Sequence, residues 1–156
     1  MNQKSFPKKR NGKILVVEDD ADLLELLCLS LREEGFAVAT AADGLDAIQK
    51  ARSVTPDLIL LDVMLPELDG FAVCEVLRKN PITAPIPVIM VTAMSGQIPR
   101  CAGIESGATD FVTKPVTPAH LISKVRQVLQ QVSTSLAARK RVQPGDLPVS
   151  PRAACS

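Results

Sequence analysis

Between Lys13 and Thr113, short apolar runs alternate with segments in which apolar residues recur every three or four positions. Ile14-Leu15-Val16-Val17, within a predicted strand from Lys13 to Glu18, is a β-branched run typical of a strand buried on both faces. Leu23, Leu24, Leu27, Cys28 and Leu31 then follow with helical spacing, and Gly35 is placed to stop that helix. The same alternation predicts strands over Phe36 to Ala41, Asp57 to Asp62, Val88 to Thr92 and Thr109 to Thr113. It predicts further helices over Gly44 to Ser53, Asp69 to Lys79 and Ser95 to Gly107. Pro81, Pro85 and Pro87 interrupt the chain ahead of the fourth strand, because proline cannot continue a helix and is tolerated in sheets mainly at a strand's start or edge. Thr117 as N-cap and Pro118 at the first helical position open a last helix, with a stripe of Leu121, Val125, Val128, Leu129 and Val132. Five strands alternating with five helices predict a doubly wound α/β sandwich on a five-stranded parallel sheet, since parallel strands need crossovers and these are right-handed.

The 156 residues suffice for one domain, expected over residues 13–138. Residues 1–12 read as a basic N-terminal tail. Residues 139–156, with Pro144, Pro148 and Pro151, read as a disordered C-terminal tail that cannot bury enough apolar surface to offset its ordering entropy. A formal net charge of +1 gives no global attraction to polyanions, and the clusters Lys8-Lys9-Arg10 and Arg139-Lys140-Arg141 read as solvated flanks, so direct DNA binding is not expected. Four scattered cysteines and one histidine suggest neither a zinc site nor a redox motif. No apolar run approaches a bilayer's thickness and no secretory leader is evident, so a cytoplasmic protein without membrane contact is expected.

The chemistry collects at the carboxyl ends of the predicted strands. Glu18 and Asp19 follow the first, Asp62 ends the third, Thr92 ends the fourth and Lys114 follows the fifth. Carboxylates brought together repel one another, and desolvation worsens this, so protons or a cation must compensate. A hard ion such as Mg2+ suits an all-oxygen set, commonly being held by one or two carboxylates together with a phosphate. Lysine then offers a point charge for phosphate oxygens and threonine a hydroxyl donor. A carboxylate can itself be the nucleophile in phosphoryl transfer, and Asp62, last on a buried strand, is the candidate.

The ordered set KILVVEDD, LILLDVMLPELDG, PVIMVTA and GATDFVTKP resembles the response-regulator receiver domain of two-component signalling, the CheY-like family, over residues 13 to about 132. The resemblance implies the flavodoxin-like strand order 2-1-3-4-5. It makes Asp62 the phosphoacceptor, Glu18 and Asp19 the acidic pair near Mg2+, and Met64 the donor of a backbone carbonyl to the ion. Thr92 and Lys114 match the phosphate contacts, and Phe111 matches the aromatic that turns inward when the threonine moves. Lys114-Pro115 matches a bond that is usually cis in the family. The implied partners are a histidine kinase or phosphotransfer protein and a downstream protein target, addressed through the surface of the fourth helix, fifth strand and fifth helix. A monomer or a phosphorylation-linked dimer is expected, catalysing only its own aspartyl phosphorylation and dephosphorylation.

Two departures matter. Many members carry aspartate where Glu18 stands, so its longer side chain could reach the ion through water. No output domain is recognised after the last helix, and a stand-alone receiver is expected. Asp20 reads as the start of the first helix, and His120 as a solvated residue. Two rivals are an interaction scaffold that works without phosphorylation and an aspartate-based phosphohydrolase; the second lacks the expected D-x-D, since Val63 and Met64 follow Asp62.

Overall fold

A computed structural model describes residues 12–93 and 105–141. In chain order the elements are β1 (Lys13–Val17), α1 (Ala21–Glu33), β2 (Ala37–Ala41), α2 (Gly44–Val54), β3 (Leu58–Asp62), α3 (Gly70–Lys79), β4 (Val88–Thr92), β5 (Asp110–Thr113) and α4 (Pro118–Arg141). The strands form one parallel sheet in the order β2-β1-β3-β4-β5, as the resemblance implies.

Alternation along each strand divides the core between the two faces of the sheet. Leu15, Val17, Ile59, Leu61, Val88 and Met90 face α2 and α3, where Ala47, Ala51, Val73, Cys74 and Leu77 close the layer. Ile14, Val16, Leu58, Leu60, Ile89 and Val112 face α1 and α4, packing on Leu27, Leu31, Leu121, Val125 and Val128. Because both faces are covered, β3 and β4 are buried at every position and β1 at every position after Lys13. That is why these strands read as continuous apolar runs.

Local chemistry sets the helix starts. Asp20 caps α1 by accepting from Asp22 and Leu23, Asp43 caps α2 by accepting from Asp46, and Asp69 caps α3 by accepting from Ala72. Thr117 accepts from His120 N–H at 3.3 Å ahead of Pro118. Of the predicted stripe of the last helix, Leu121, Val125 and Val128 are buried and Leu129 packs against them, while Val132 is half-buried and outside that cluster. Observed strands are one residue shorter than expected at Glu18, Phe36, Asp57 and Thr109, although Glu18, Asp57 and Thr109 still donate their N–H groups to the neighbouring strand. Of the predicted helix from Ser95, the described residues include only its end, Glu105 to Gly107. Residues 1–11 and 142–156, with most of both expected tails, lie outside the described residues. Among the described residues no helix is long and apolar enough to cross a membrane.

Candidate functional site

The chain winds outward from β1 to β2 on one side, then from β3 to β5 on the other, so the order reverses beside β1. In open α/β sheets the crevice at such a switch point, beyond the carboxyl ends of the strands, is where ligands bind. The register carries the predicted polar residues to that rim together. Val17 pairs with Leu61, Asp62 with Val91, and Thr92 with Thr113, one residue before Lys114.

There, oxygens of Glu18, Asp19 and Asp62 lie within 4.8 Å of one another. Glu18 and Asp62 are each only 2% exposed, whereas Asp19 faces solvent. Lys114 Nζ sits 3.3 Å from Glu18 Oε2 and 3.3 Å from Asp62 Oδ2. Asp62 Oδ1 accepts from Met64 N–H at 3.0 Å, and Glu18 Oε1 accepts from Asp20 N–H at 3.2 Å. Glu18 Oε2 is buried without a hydrogen bond, its approach to Lys114 being a charge contact without hydrogen-bond alignment.

One ammonium thus serves two buried carboxylates. Burial pushes the Glu18 carboxyl up to about 7, and the neighbouring Asp62 adds to the rise against the pull of Asp20 N–H. Burial acts to lower Lys114, but attraction to Asp62 and Glu18 outweighs it and holds the ammonium above its usual range. An orphaned buried oxygen, an excess of negative charge and an all-oxygen donor set fit a hard divalent cation such as Mg2+.

The loop after Asp62 is fixed by close backbone contact. A Cβ on Gly70 would fall 2.5 Å from the Asp62 carbonyl oxygen and 2.8 Å from Val63 Cα, so only glycine lets α3 start against the end of β3. Gly70 N–H then donates to Val63 O at 2.9 Å. Sequence reasoning missed this residue, because Asp69-Gly70 reads as an ordinary turn signal and the close approach is visible only in three dimensions. It also missed the Glu18–Lys114 pair and the half-buried Arg78 in the last turn of α3, where a cation reads simply as a partner of the helix dipole.

The other predicted residues are placed as follows. Thr92 is buried at the end of β4. Phe111 is half-buried against the core on the α2 and α3 face. The Lys114-Pro115 bond is cis. The side chain of Met64 is 64% exposed, two residues after Asp62. Asp20 is a helix cap and His120 is exposed. Cys28 and Cys74 are buried and free.

The profile of the response regulator receiver domain matches residues 14–126. The chain is 44% identical over 119 residues to the DNA-binding response regulator MtrA of Mycobacterium tuberculosis (strain ATCC 25618 / H37Rv), covering 76% of this chain and 51% of that protein. It is 42% identical over 121 residues to the alkaline phosphatase synthesis transcriptional regulatory protein PhoP of Bacillus subtilis (strain 168), covering 78% and 50%. The chain therefore spans about half the length of these curated relatives. Among solved structures it is similar to the chemotaxis response regulator CheY4 of Vibrio cholerae, with a TM-score of 0.72 at 30% identity, covering 74% of this chain and 97% of that one.

Proposed function

The chain belongs to the response regulator receiver domain family, and from that premise we propose that it accepts a phosphoryl group on Asp62 from a histidine kinase or phosphotransfer protein. The observation that carries the reading is Asp62 itself: a buried carboxylate at the end of a central strand, touching the one lysine of the rim and clustered with two further carboxylates. Phosphoryl transfer asks a protein mainly for position and charge neutralisation, which this arrangement supplies. An Asp62 carboxylate oxygen attacks the phosphorus of the partner's phosphohistidine, the new P–O bond forms as the P–N bond breaks, and the imidazole leaves with the bonding pair. Glu18, Asp19 and Asp62, with the Met64 carbonyl, would hold Mg2+, which when bound neutralises charge on the phosphoryl oxygens.

Lys114 then turns from its carboxylate partners toward the added phosphoryl oxygens, and the Thr92 hydroxyl donates to another of them. Movement of Thr92 lets Phe111 turn inward and changes the surface of β5, α4 and the segment before β5. A downstream protein with different affinities for the two states reads that change, as a monomer or a phosphorylation-linked dimer. The protein acts in the cytoplasm and has no turnover beyond making and hydrolysing its own aspartyl phosphate. The domain body is not itself the DNA contact: residues 13–135 carry sixteen acidic and ten basic side chains, a balance that repels polyanions.

With Mg2+ and acetyl phosphate, the wild-type chain should gain one phosphoryl group by intact mass, and Asp62→Asn should gain none. Undiminished labelling of Asp62→Asn would sink the assignment.

A further inference from the structure

We propose that Arg78 is a positioning residue for phosphoryl recognition, its guanidinium setting where β4 and β5 begin and so where Thr92 and Lys114 end up. Arg78 lies in the last turn of α3, half-buried. Its Nε donates to Gly107 O at 2.9 Å, and one terminal nitrogen donates to Ala84 O at 2.8 Å and to Ile86 O at 2.6 Å. Three carbonyls from two separate connectors therefore converge on one rigid, charged fork, a set of bonds that a flexible lysine cannot reproduce.

The places it ties matter. Ile86 lies two residues before β4, and Gly107 three residues before β5. Immediately beyond them the two connectors join reciprocally, Thr109 N–H donating to Val88 O at 2.7 Å and Val88 N–H to Thr109 Oγ1 at 3.1 Å. The fit is tight on the Gly107 side. That residue has φ +100, and a Cβ there would fall 2.6 Å from Arg78 Cγ, so the arginine stem passes directly over the glycine. Ser106, buried beside it, hydrogen-bonds Cys74 one turn earlier on α3.

β5 needs such an anchor. It is four residues long, lies at the sheet edge and, among the described residues, pairs only with β4, so its own ladder fixes it weakly. Yet it must hold Lys114 Nζ 3.3 Å from Asp62. By contrast, Glu18 and Asp19 follow β1 and Asp62 ends β3, and the three hydrogen bonds of Arg78 go to neither strand. Loss of the fork should therefore harm phosphoryl binding and spare metal binding, a split that simple destabilisation does not produce.

The inference rests on Asp62 being the acceptor, and the test separates the two. The chain has no tryptophan, so titration calorimetry is run first with Mg2+ alone, then with beryllofluoride at saturating Mg2+. Arg78→Gln and Arg78→Lys should bind Mg2+ within about twofold of wild type and bind beryllofluoride about tenfold more weakly. Gly107→Ala, which pushes on the arginine stem, should give the same split. Thr83→Val removes a buried hydrogen bond to Leu77 O at the same end of α3 without touching Gly107, and should lower Tm while leaving both affinities unchanged. If Arg78→Gln fails to fold, the lysine and Gly107 variants carry the test. Equal weakening of both affinities, or unchanged beryllofluoride binding, overturns the role of Arg78. A wild-type chain that takes Mg2+ but not beryllofluoride overturns the acceptor reading, and this inference with it.

Discussion

The rim is built from two unlike halves. β1 and β3 supply the acidic groups from the middle of the sheet, flanked on both sides by strands and on both faces by helices. β4 and β5 supply Thr92 and Lys114, and β5 is a short edge strand with only Val112 fully buried. Central strands hold their side chains in place through the core itself, whereas an edge strand depends on hydrogen bonds at its two ends. β1, β3 and β4 are thus fixed by packing, whereas β5 depends on clips: Arg78 and Thr109 before it, and Lys114 N–H to Thr92 O at 2.7 Å after it.

Core truncation should show the contrast most strongly. Leu60→Ala on β3 should cost about 2 to 5 kcal/mol in denaturant unfolding, and Val112→Ala on β5 about 1 to 2 kcal/mol. Equal losses would remove the distinction between the halves.

A smaller effect should come from acidity in the central half. The Glu18 carboxyl titrates at about 7 in the folded chain against an ordinary 4.5, so between those values the unfolded chain releases a proton that the folded chain keeps. This contribution is fully present below the lower value and is lost as pH rises through the upper one. In EDTA, stability should therefore fall by on the order of 2 to 3 kcal/mol between pH 4.5 and about 7, beyond the background seen in Glu18→Gln. Parallel curves for the two proteins would show that Glu18 carries no such cost. Saturating Mg2+ should flatten the wild-type decline, because a bound cation favours the ionised carboxylates.

Smaller still is the effect of cover over the acceptor. The exposed Met64 side chain lies two residues after Asp62, where an apolar group would hinder a water attacking an aspartyl phosphate. Met64→Asn should speed loss of the phosphoryl group on the order of threefold, less than 1 kcal/mol in barrier. An unchanged decay rate would exclude that role. At the bottom of the scale, His120→Ala on the exposed first turn of α4 should alter Tm and labelling within error, as surface changes usually stay within about 0.5 kcal/mol. Lost labelling there would mean that the histidine takes part in the chemistry.

Much of this was legible in the chain. The apolar runs of β1, β3 and β4 announce strands buried on both faces, and the acidic and threonine residues at their ends, with Lys114 after β5, mark one rim once the sheet is parallel. Asp20 as a cap and the stripe on α4 were equally readable, because caps and periodicity are local properties. Gly70 and Arg78 were not, since each acts on residues that only folding brings near it.

The sequence by itself determined the alternation of elements, the residue types at each strand end and the family to which they belong, because periodicity and order along the chain are local and linear. Only the tertiary structure decided that Lys114 divides itself between Glu18 and Asp62, that one Glu18 oxygen is left without a hydrogen bond, and that Arg78 grips the connectors leading to β4 and β5. Those facts depend on how deeply each group is buried and on which distant backbone it meets, quantities that exist only once the strands have paired and the helices have closed over them.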